Sequence, residues 1–240
     1  MKVRLAVLDM VGTTIRSGDE IPASFREAFS SIGVELSDEA IATMRGRSKQ
    51  EAITQLLLEH GVNAESLPEV SGTVYARFKR ELREALRSTA KPIPGSKEVF
   101  GFLKRVGTEV VLTTGLDHQT TQALIQGLGW EDVELTGVIS GDDVLKGRPA
   151  PDLIHAAMEL AKVEDPGAVL VVGDTTADLE AAAQAGVGWS VGVLTGAHSR
   201  VRLEPYPHSV ILASVADLPR WLSKAAGIRE HSPKSHEGGP

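Results

Sequence analysis

The chain has 240 residues, a net charge of -7 and a pI near 5.5, a balance that argues against a nucleic-acid or anionic-membrane partner. Apolar residues at 42% and charged residues at 24% are ordinary globular usage, so a sizeable core is available. With no cysteine, disulfides, thiolate metal sites and cysteine nucleophiles are excluded.

The first segment, Val3 to Leu8, is a short apolar run that ends at Asp9. Gly12-Thr13-Thr14 after it reads as a turn, so a buried strand delivers a carboxylate to a loop. Asp9 also interrupts the run too early for a signal peptide. No stretch approaches the ~20 apolar residues of a membrane span, and a cytoplasmic location is the expectation.

From about Arg16 to Ala90 the pattern is helical, with no convincing strand. Phe25, Ala28, Phe29 and Ile32 form one stripe. Ile53, Leu56 and Leu57 form a second, ended by His60-Gly61, and Tyr75, Phe78, Leu82, Ala85 and Leu86 form a third. An all-helical insert of this kind reads as a lid domain over 17–92, hinged at Ser17-Gly18 and at Thr89 to Gly95.

Apolar strand-like runs resume at Val110 to Leu112, Val138 to Ile139, Ala168 to Val172 and Trp189 to Leu194. Helical stripes lie between several of them: Val99, Phe102, Leu103 and Val106, stopped by Gly107, and Ile154, Ala157, Met158 and Ala161 after Pro149 and Pro151. Strands alternating with helices imply an α/β core, 1–16 with 93–227, built on a parallel sheet covered on both faces. The polar, Gly/Pro-rich stretch 228–240 reads as a disordered tail.

Ligands of such sheets sit at the carboxyl ends of the strands, and four segments fall there in order. They are Asp9 to Thr14, Leu112-Thr113-Thr114-Gly115, Gly147-Arg148-Pro149-Ala150-Pro151-Asp152 and Val172 to Asp178. Together they offer a carboxylate, a hydroxyl, a cation and a carboxylate pair. A carboxylate attacks phosphorus only if the phosphoryl charge is masked, because like charges repel. A magnesium ion held by Asp9, Asp174 and the Val11 carbonyl would mask it, with Asp178 orienting that shell. The Thr113 hydroxyl and backbone N–H groups near Gly12, Thr13 and Thr114 would hold phosphoryl oxygens, and Arg148 would pair with the phosphoryl group or with Asp9. Taken singly, each residue has a plainer role. Asp9 suits a turn, Asp174 suits a helix N-cap with Asp178 in the first turn, Thr113 suits a strand end and Arg148 suits the surface.

In their order, the four segments resemble the four motifs of the haloacid dehalogenase superfamily, and the helical insert resembles its cap domain. The resemblance covers nearly the whole chain apart from the tail. It implies a Rossmann-like parallel sheet with an inserted all-helical cap, an Asp9 nucleophile and an aspartyl-phosphate intermediate.

Val11 narrows the resemblance. Phosphatases of the superfamily carry a second Asp there, which protonates the leaving alkoxide, and general acid–base catalysis is typically worth ~10²–10⁴-fold. The stretch Asp9-Met10-Val11-Gly12-Thr13-Thr14 instead resembles phosphonoacetaldehyde hydrolase (phosphonatase) and its relatives, as do Arg148 and the segment Thr195-Gly196-Ala197-His198. In those enzymes a cap lysine forms a Schiff base with the substrate aldehyde, and Gly46-Arg47-Ser48-Lys49 places Lys49 at the matching position. The chain departs from phosphonatase at Arg45, Ala52 and Leu116, where that enzyme has Met, His and an aromatic.

Breaking a C–P bond leaves its electron pair on carbon, and a protonated imine beta to phosphorus absorbs it as an enamine, so no alkoxide needs a proton. Lys49 must then be neutral, which requires its pKa to fall well below the reference ~10.4 through burial or neighbouring cations such as Arg45 and Arg47. Lys49 also suits two other roles: a cation that grips phosphate, as in phosphoglucomutase-like caps, or an exposed charge at a helix start. The expected substrate is a small phosphonate or phosphorylated metabolite, and the favoured activity is cleavage of a 2-oxoalkyl phosphonate. The rivals are a phosphatase of the phosphoglycolate phosphatase or phosphoglucomutase type, and a non-catalytic phosphate-ligand binder.

Overall fold

The computed structural model describes residues 2–16 and 18–228. The disordered tail read over 228–240 thus lies outside the described residues except for Ile228, as does Ser17 of the first expected hinge. The chain order is β1 (Leu5–Asp9), α1 (Glu20–Ser30), α2 (Asp38–Thr43), α3 (Lys49–Glu59), α4 (Leu67–Thr89), α5 (Ser96–Arg105), β2 (Glu109–Thr113) and α6 (His118–Gly127). It continues with β3 (Gly137–Ile139), α7 (Asp152–Ala161), β4 (Val169–Gly173), α8 (Thr176–Ala185), β5 (Trp189–Val193), α9 (Arg200–Leu203), β6 (Val210–Leu212) and α10 (Leu218–Ala225).

The six strands form one parallel sheet in the order β3-β2-β1-β4-β5-β6, a Rossmann-like arrangement. Side chains alternate across it, as the two-residue repeat of a strand requires. Leu5, Val7, Val111, Val169 and Val171 face α7 and α8, where Ile154, Ala157, Ala181 and Ala182 receive them. Ala6, Leu8, Val110, Leu112, Leu170 and Val172 face the other way, onto Val99, Phe100 and Leu103 of α5 and Leu218 and Leu222 of α10. Both faces are covered, which is why the central strands read as continuous apolar runs. Asp9 closes β1 in register with Thr113 at the end of β2, and Leu8 pairs with Val172 of β4. The carboxyl ends of the three central strands therefore present Asp9, Thr113 and Asp174 along one edge.

Helices α1 to α4 lie between β1 and α5 in the chain. Phe25 of α1 and Phe78 of α4 stack with ring centroids 4.6 Å apart, and both are fully buried. Burial of that kind contributes roughly 1.5–3 kcal/mol per side chain. The chain leaves and re-enters this helical layer along paired backbone: the Arg16 N–H donates to the Lys91 carbonyl at 2.8 Å, and the Ile93 N–H to that of Thr14 at 2.9 Å. Among the described residues no helix is long and apolar enough to cross a membrane.

Some elements gave no sequence pattern. The six-residue helix α2 buries only Ile41, and three-residue β6 follows the polar His208-Ser209, so neither is long enough to display a repeat. The first helical stripe ends early, since Ile32 lies beyond the last residue of α1.

Candidate active site

Asp9, Val11, Lys49, Thr114, Arg148 and Asp174 line one cavity of about 600 Å³, counted to its open mouth. Ile21, Pro22, Phe25, Ile41, Met44 and Arg45 line it from the helical layer. Four of the sequence-derived candidates are buried outside this lining, namely Gly12, Thr13, Thr113 and Asp178.

Asp174 is held on several sides. The Ala197 N–H donates to its Oδ2 at 2.6 Å and the Thr13 hydroxyl to its Oδ1 at 3.2 Å. Gly12 has φ +100°, and a Cβ there would overlap the Asp174 carboxylate, so only glycine serves. The helix-cap role open to Asp174 falls to its neighbour instead. Thr175 is the N-cap of α8, and Asp178 returns the bond to the Thr175 N–H in a capping box.

Arg148 joins the two ends of the site. Its Nη1 lies 2.7 Å from Asp9 Oδ1 and also pairs with Asp178 Oδ1, while the Thr175 hydroxyl donates to Asp178 Oδ2 at 2.5 Å. Arg148 is 5% exposed, not a surface charge. Its Nε is buried without an acceptor, a donor turned toward no protein group. Leaving such a group unmet costs about 1–3 kcal/mol, and surrounding protein atoms cover it almost completely.

Lys49 is 6% exposed, which overturns the exposed-charge reading. It opens α3, its backbone N–H donates to the Gly115 carbonyl at 3.3 Å, and its Nζ donates to the Arg47 carbonyl at 3.1 Å. In the same first turn Glu51 accepts from the Gly147 N–H at 3.0 Å. These bonds seat the start of α3 on the loops that carry Thr114 and Arg148.

Burial sets the proton affinities. It pushes the Asp9 carboxyl up to about 6, with the Arg148 charge opposing and the Asp178 charge reinforcing. Burial also raises Asp174 well above the carboxylate range, helped by the charges of Asp9 and Asp178 and resisted by the Ala197 N–H. Lys49 is pulled down to about 8 by burial and then by the Arg148 charge, against the attraction of Asp9, Asp174 and Asp178. For Arg148 burial opposes the charge, but Asp178 and Asp9 outweigh it and keep the guanidinium protonated.

Among the described residues no group of three or more carboxylate or imidazole side chains is arranged as a metal cage. Magnesium does not require one, since it keeps several waters and takes one or two carboxylates. Asp9 and Asp174 fit that demand: both are buried, both have raised proton affinity, and the Asp9 charge adds to the raising of Asp174.

Sequence reasoning gave no role to Thr195, Ala197 and His198, although it singled out their segment. The Thr195 hydroxyl donates to the Gly12 carbonyl at 2.7 Å, and buried His198 accepts at Nδ1 from the Thr176 N–H at 3.0 Å. The segment thus ties the Asp9 turn to the start of α8. Burial, with the nearby Arg202 charge, lowers His198 to about 4, so its imidazole is neutral near pH 7.

The haloacid dehalogenase-like hydrolase family model matches residues 3–186. Phosphonoacetaldehyde hydrolase of Latilactobacillus sakei is 27% identical over 246 residues, 94% of this chain and 89% of the relative. That of Bacillus cereus is 30% identical over 207 residues, 82% of this chain and 77% of the relative. The crystal structure of a phosphonoacetaldehyde hydrolase like protein from Oleispira antarctica superimposes with a TM-score of 0.79 at 22% identity, covering 94% of this chain and 95% of that one. The chain belongs to the haloacid dehalogenase-like hydrolases and, within them, is phosphonatase-like.

Proposed function

We propose that this protein is a magnesium-dependent hydrolase that cleaves the C–P bond of a 2-oxoalkyl phosphonate, with Asp9 as nucleophile and Lys49 as the imine-forming amine. One observation carries the reading: Lys49 is buried in the cavity that holds Asp9, with its pKa lowered to about 8, while Val11 stands where a proton donor would serve a phosphatase. A lysine that only grips phosphate gains nothing from losing its charge; one that attacks a carbonyl needs to lose it.

The neutral Lys49 Nζ adds to the substrate carbonyl, water leaves and one proton is taken up from solvent, giving a protonated imine. An Asp9 oxygen then bonds to phosphorus, the C–P bond breaks, and its electron pair passes to carbon to form an enamine. Protonation at carbon and hydrolysis return the carbonyl product and free Lys49, and a second water hydrolyses the aspartyl phosphate. Asp9, Asp174 and the Val11 carbonyl would hold magnesium, which masks phosphoryl charge so that one anion can approach another. Arg148 orients Asp9, and its guanidinium, which lines the cavity, would pair with a phosphoryl oxygen. Asp178 holds Arg148, and Gly12, Thr13 and Thr114 shape the loops around the phosphoryl group. The insert 17–92 acts as the cap, with Ile21, Phe25 and Met44 excluding water from the reacting pair.

The test is sodium borohydride trapping with phosphate release followed in parallel. Wild type should give a reduced adduct on Lys49 with phosphonoacetaldehyde or another 2-oxoalkyl phosphonate, located by peptide mass spectrometry. Lys49→Arg keeps the charge but forms no imine, so it should abolish C–P cleavage. Near wild-type cleavage by that variant would leave a phosphatase-like enzyme as the better reading.

A further inference from the structure

Arg45 is the one cation lining the cavity whose side chain has no hydrogen bond or ion pair among the described residues. Its neighbours are engaged. Arg148 holds Asp9 and Asp178, Arg47 donates to the Gln55 side chain at 2.7 Å, and Lys49 donates to the Arg47 carbonyl. Arg45 follows α2 in the tight turn Met44 to Arg47. Gly46 has φ +80°, and a Cβ on it would overlap the Thr175 hydroxyl, so this turn rests directly on the loop that carries Asp174. Arg45 is therefore half-buried in a turn that backbone packing, not a protein anion, holds against the cavity wall.

The wall beside it is apolar: Ile21, Pro22, Phe25, Ile41 and Met44. Charge pairs are stronger in such surroundings than in water, and an unpaired guanidinium there favours an anion. The other end of the cavity is already suited to a phosphoryl group, through the Arg148 guanidinium and the magnesium that the Asp9 and Asp174 carboxylates would hold. A ligand that satisfies both ends carries two anionic groups.

We propose that Arg45 receives a carboxylate borne by the substrate carbonyl, so that the substrate is a 3-phosphono-2-oxo acid and not a phosphono-aldehyde. This rests on the reading of Asp9 and Lys49 as the reacting pair. In such a substrate the carbonyl carbon that Lys49 attacks bears the phosphonomethyl group on one side and the carboxylate on the other. A planar carboxylate matches two N–H groups of a guanidinium. An aldehyde hydrogen in that place would leave Arg45 unmet. Cleavage runs through the same bonds as above, and the released product is a 2-oxo acid.

Two measurements separate this inference from the reading beneath it. The first is calorimetric binding of 3-phosphonopropanoate and of propylphosphonate, which lacks the carboxylate, to the magnesium-loaded protein. Wild type should bind the first at least about tenfold more tightly, and Arg45→Met, checked for an unchanged melting temperature, should bind the two alike. Equal binding by wild type, or an advantage that persists in Arg45→Met, overturns the role of Arg45 even if phosphono-aldehydes are cleaved. The second is phosphate release from 3-phosphono-2-oxopropanoate and phosphonoacetaldehyde. The oxo acid should be favoured about tenfold or more in kcat/KM by wild type, mainly through KM, and the preference should disappear in Arg45→Met. A wild type that favours the aldehyde overturns the proposed substrate. Release from neither, with the binding advantage intact, removes the C–P reading and the oxo-acid substrate with it, while Arg45 stands as a carboxylate site.

Discussion

The two walls of the cavity are built on different principles. On the sheet side, Asp9, Arg148, Asp174 and Asp178 are held by one another and by neighbouring backbone: a guanidinium between two carboxylates, an N–H and a hydroxyl on Asp174, and a capping box on Asp178. On the helical side, Lys49 and Arg45 have few polar partners. Lys49 donates to a single carbonyl, Arg45 to nothing among the described residues, and both are placed by the packing of a short turn on the core loops. A wall with interlocked charges suits a step common to many substrates. A wall whose cations, one buried and one half-buried, have few protein partners suits the part of the ligand that differs between substrates, because the ligand itself supplies the missing partner.

That contrast predicts unequal consequences for mutation. Asp9→Asn, or an excess of chelator over magnesium, should lower phosphate release from every substrate by at least about 10⁴-fold, since each removes the common step. Steady-state phosphate assays on a phosphonate and on an activated aryl phosphate would show it, and full turnover in chelator would sink the metal assignment. Lys49→Arg should separate the same two substrates, abolishing the first reaction and changing the second only several-fold. Val11→Asp should act in the opposite direction. By restoring a proton donor it should raise hydrolysis of alkyl phosphate monoesters by about 10²-fold or more, while leaving imine trapping at Lys49 in place. No gain on any alkyl phosphate would mean that the missing acid is not what sets selectivity.

The sheet side was also the more legible in sequence. Strand runs such as Val169–Gly173 are wholly apolar because the sheet is covered on both faces; β1 ends at Asp9, and β4 ends one residue before Asp174. The order of the four segments therefore carried both fold and chemistry. The helical side was legible only in outline. Its stripes predicted α1, α3 and α4, but burial of Lys49 depends on how the turn after α2 meets Gly115 and Gly147, which no local periodicity encodes. His198 was opaque for the same reason: its partner, the Thr176 N–H, is 22 residues away in the chain. Thr113 closes β2 in register with Asp9, as a strand-end hydroxyl does, and is buried outside the cavity lining.

The stability of the sheet side offers a sharper test. Arg148 compensates two buried carboxylates, so Arg148→Met should leave Asp9 and Asp178 without their cation. Breaking a buried pair by removing one partner typically costs about 3–5 kcal/mol, and urea unfolding of magnesium-free protein near pH 7 should show a loss of that order. Asp9 limits the loss. Its carboxyl already has a pKa near 6, and without Arg148 it takes up a proton more readily, so the deficit should shrink as pH falls toward 6 and level off below it, where Asp9 is protonated with or without Arg148. A deficit that stays constant from pH 8 to pH 5 would show that the two carboxylates do not depend on Arg148.

The helical side should respond to pH with the opposite sign. The Lys49 pKa is depressed to about 8 from an ordinary value of 10.5. Above 10.5 the amine is neutral whether the chain is folded or unfolded, and its titration favours neither state. As pH falls from 10.5 through 8, the unfolded chain takes up a proton that the folded chain resists, so folded stability is lost across that window. The loss is on the order of 3 kcal/mol at most. Lys49→Met removes the cost while filling the same space, and should be more stable than wild type at pH 7 by about 1–3 kcal/mol, with the difference closing toward pH 10.5. The same titration governs chemistry. Only the neutral amine adds to a carbonyl, so the initial rate of adduct formation should rise about tenfold per pH unit below 8 and level off above it. Adduct formation measured by quenched-flow trapping between pH 6 and 9.5, beside urea midpoints for Lys49→Met over the same range, reads one ionisation in two ways. A rate that is flat with pH, together with a Lys49→Met variant less stable than wild type at pH 7, would mean that Lys49 stays charged in the folded protein and that its burial serves to hold an anion.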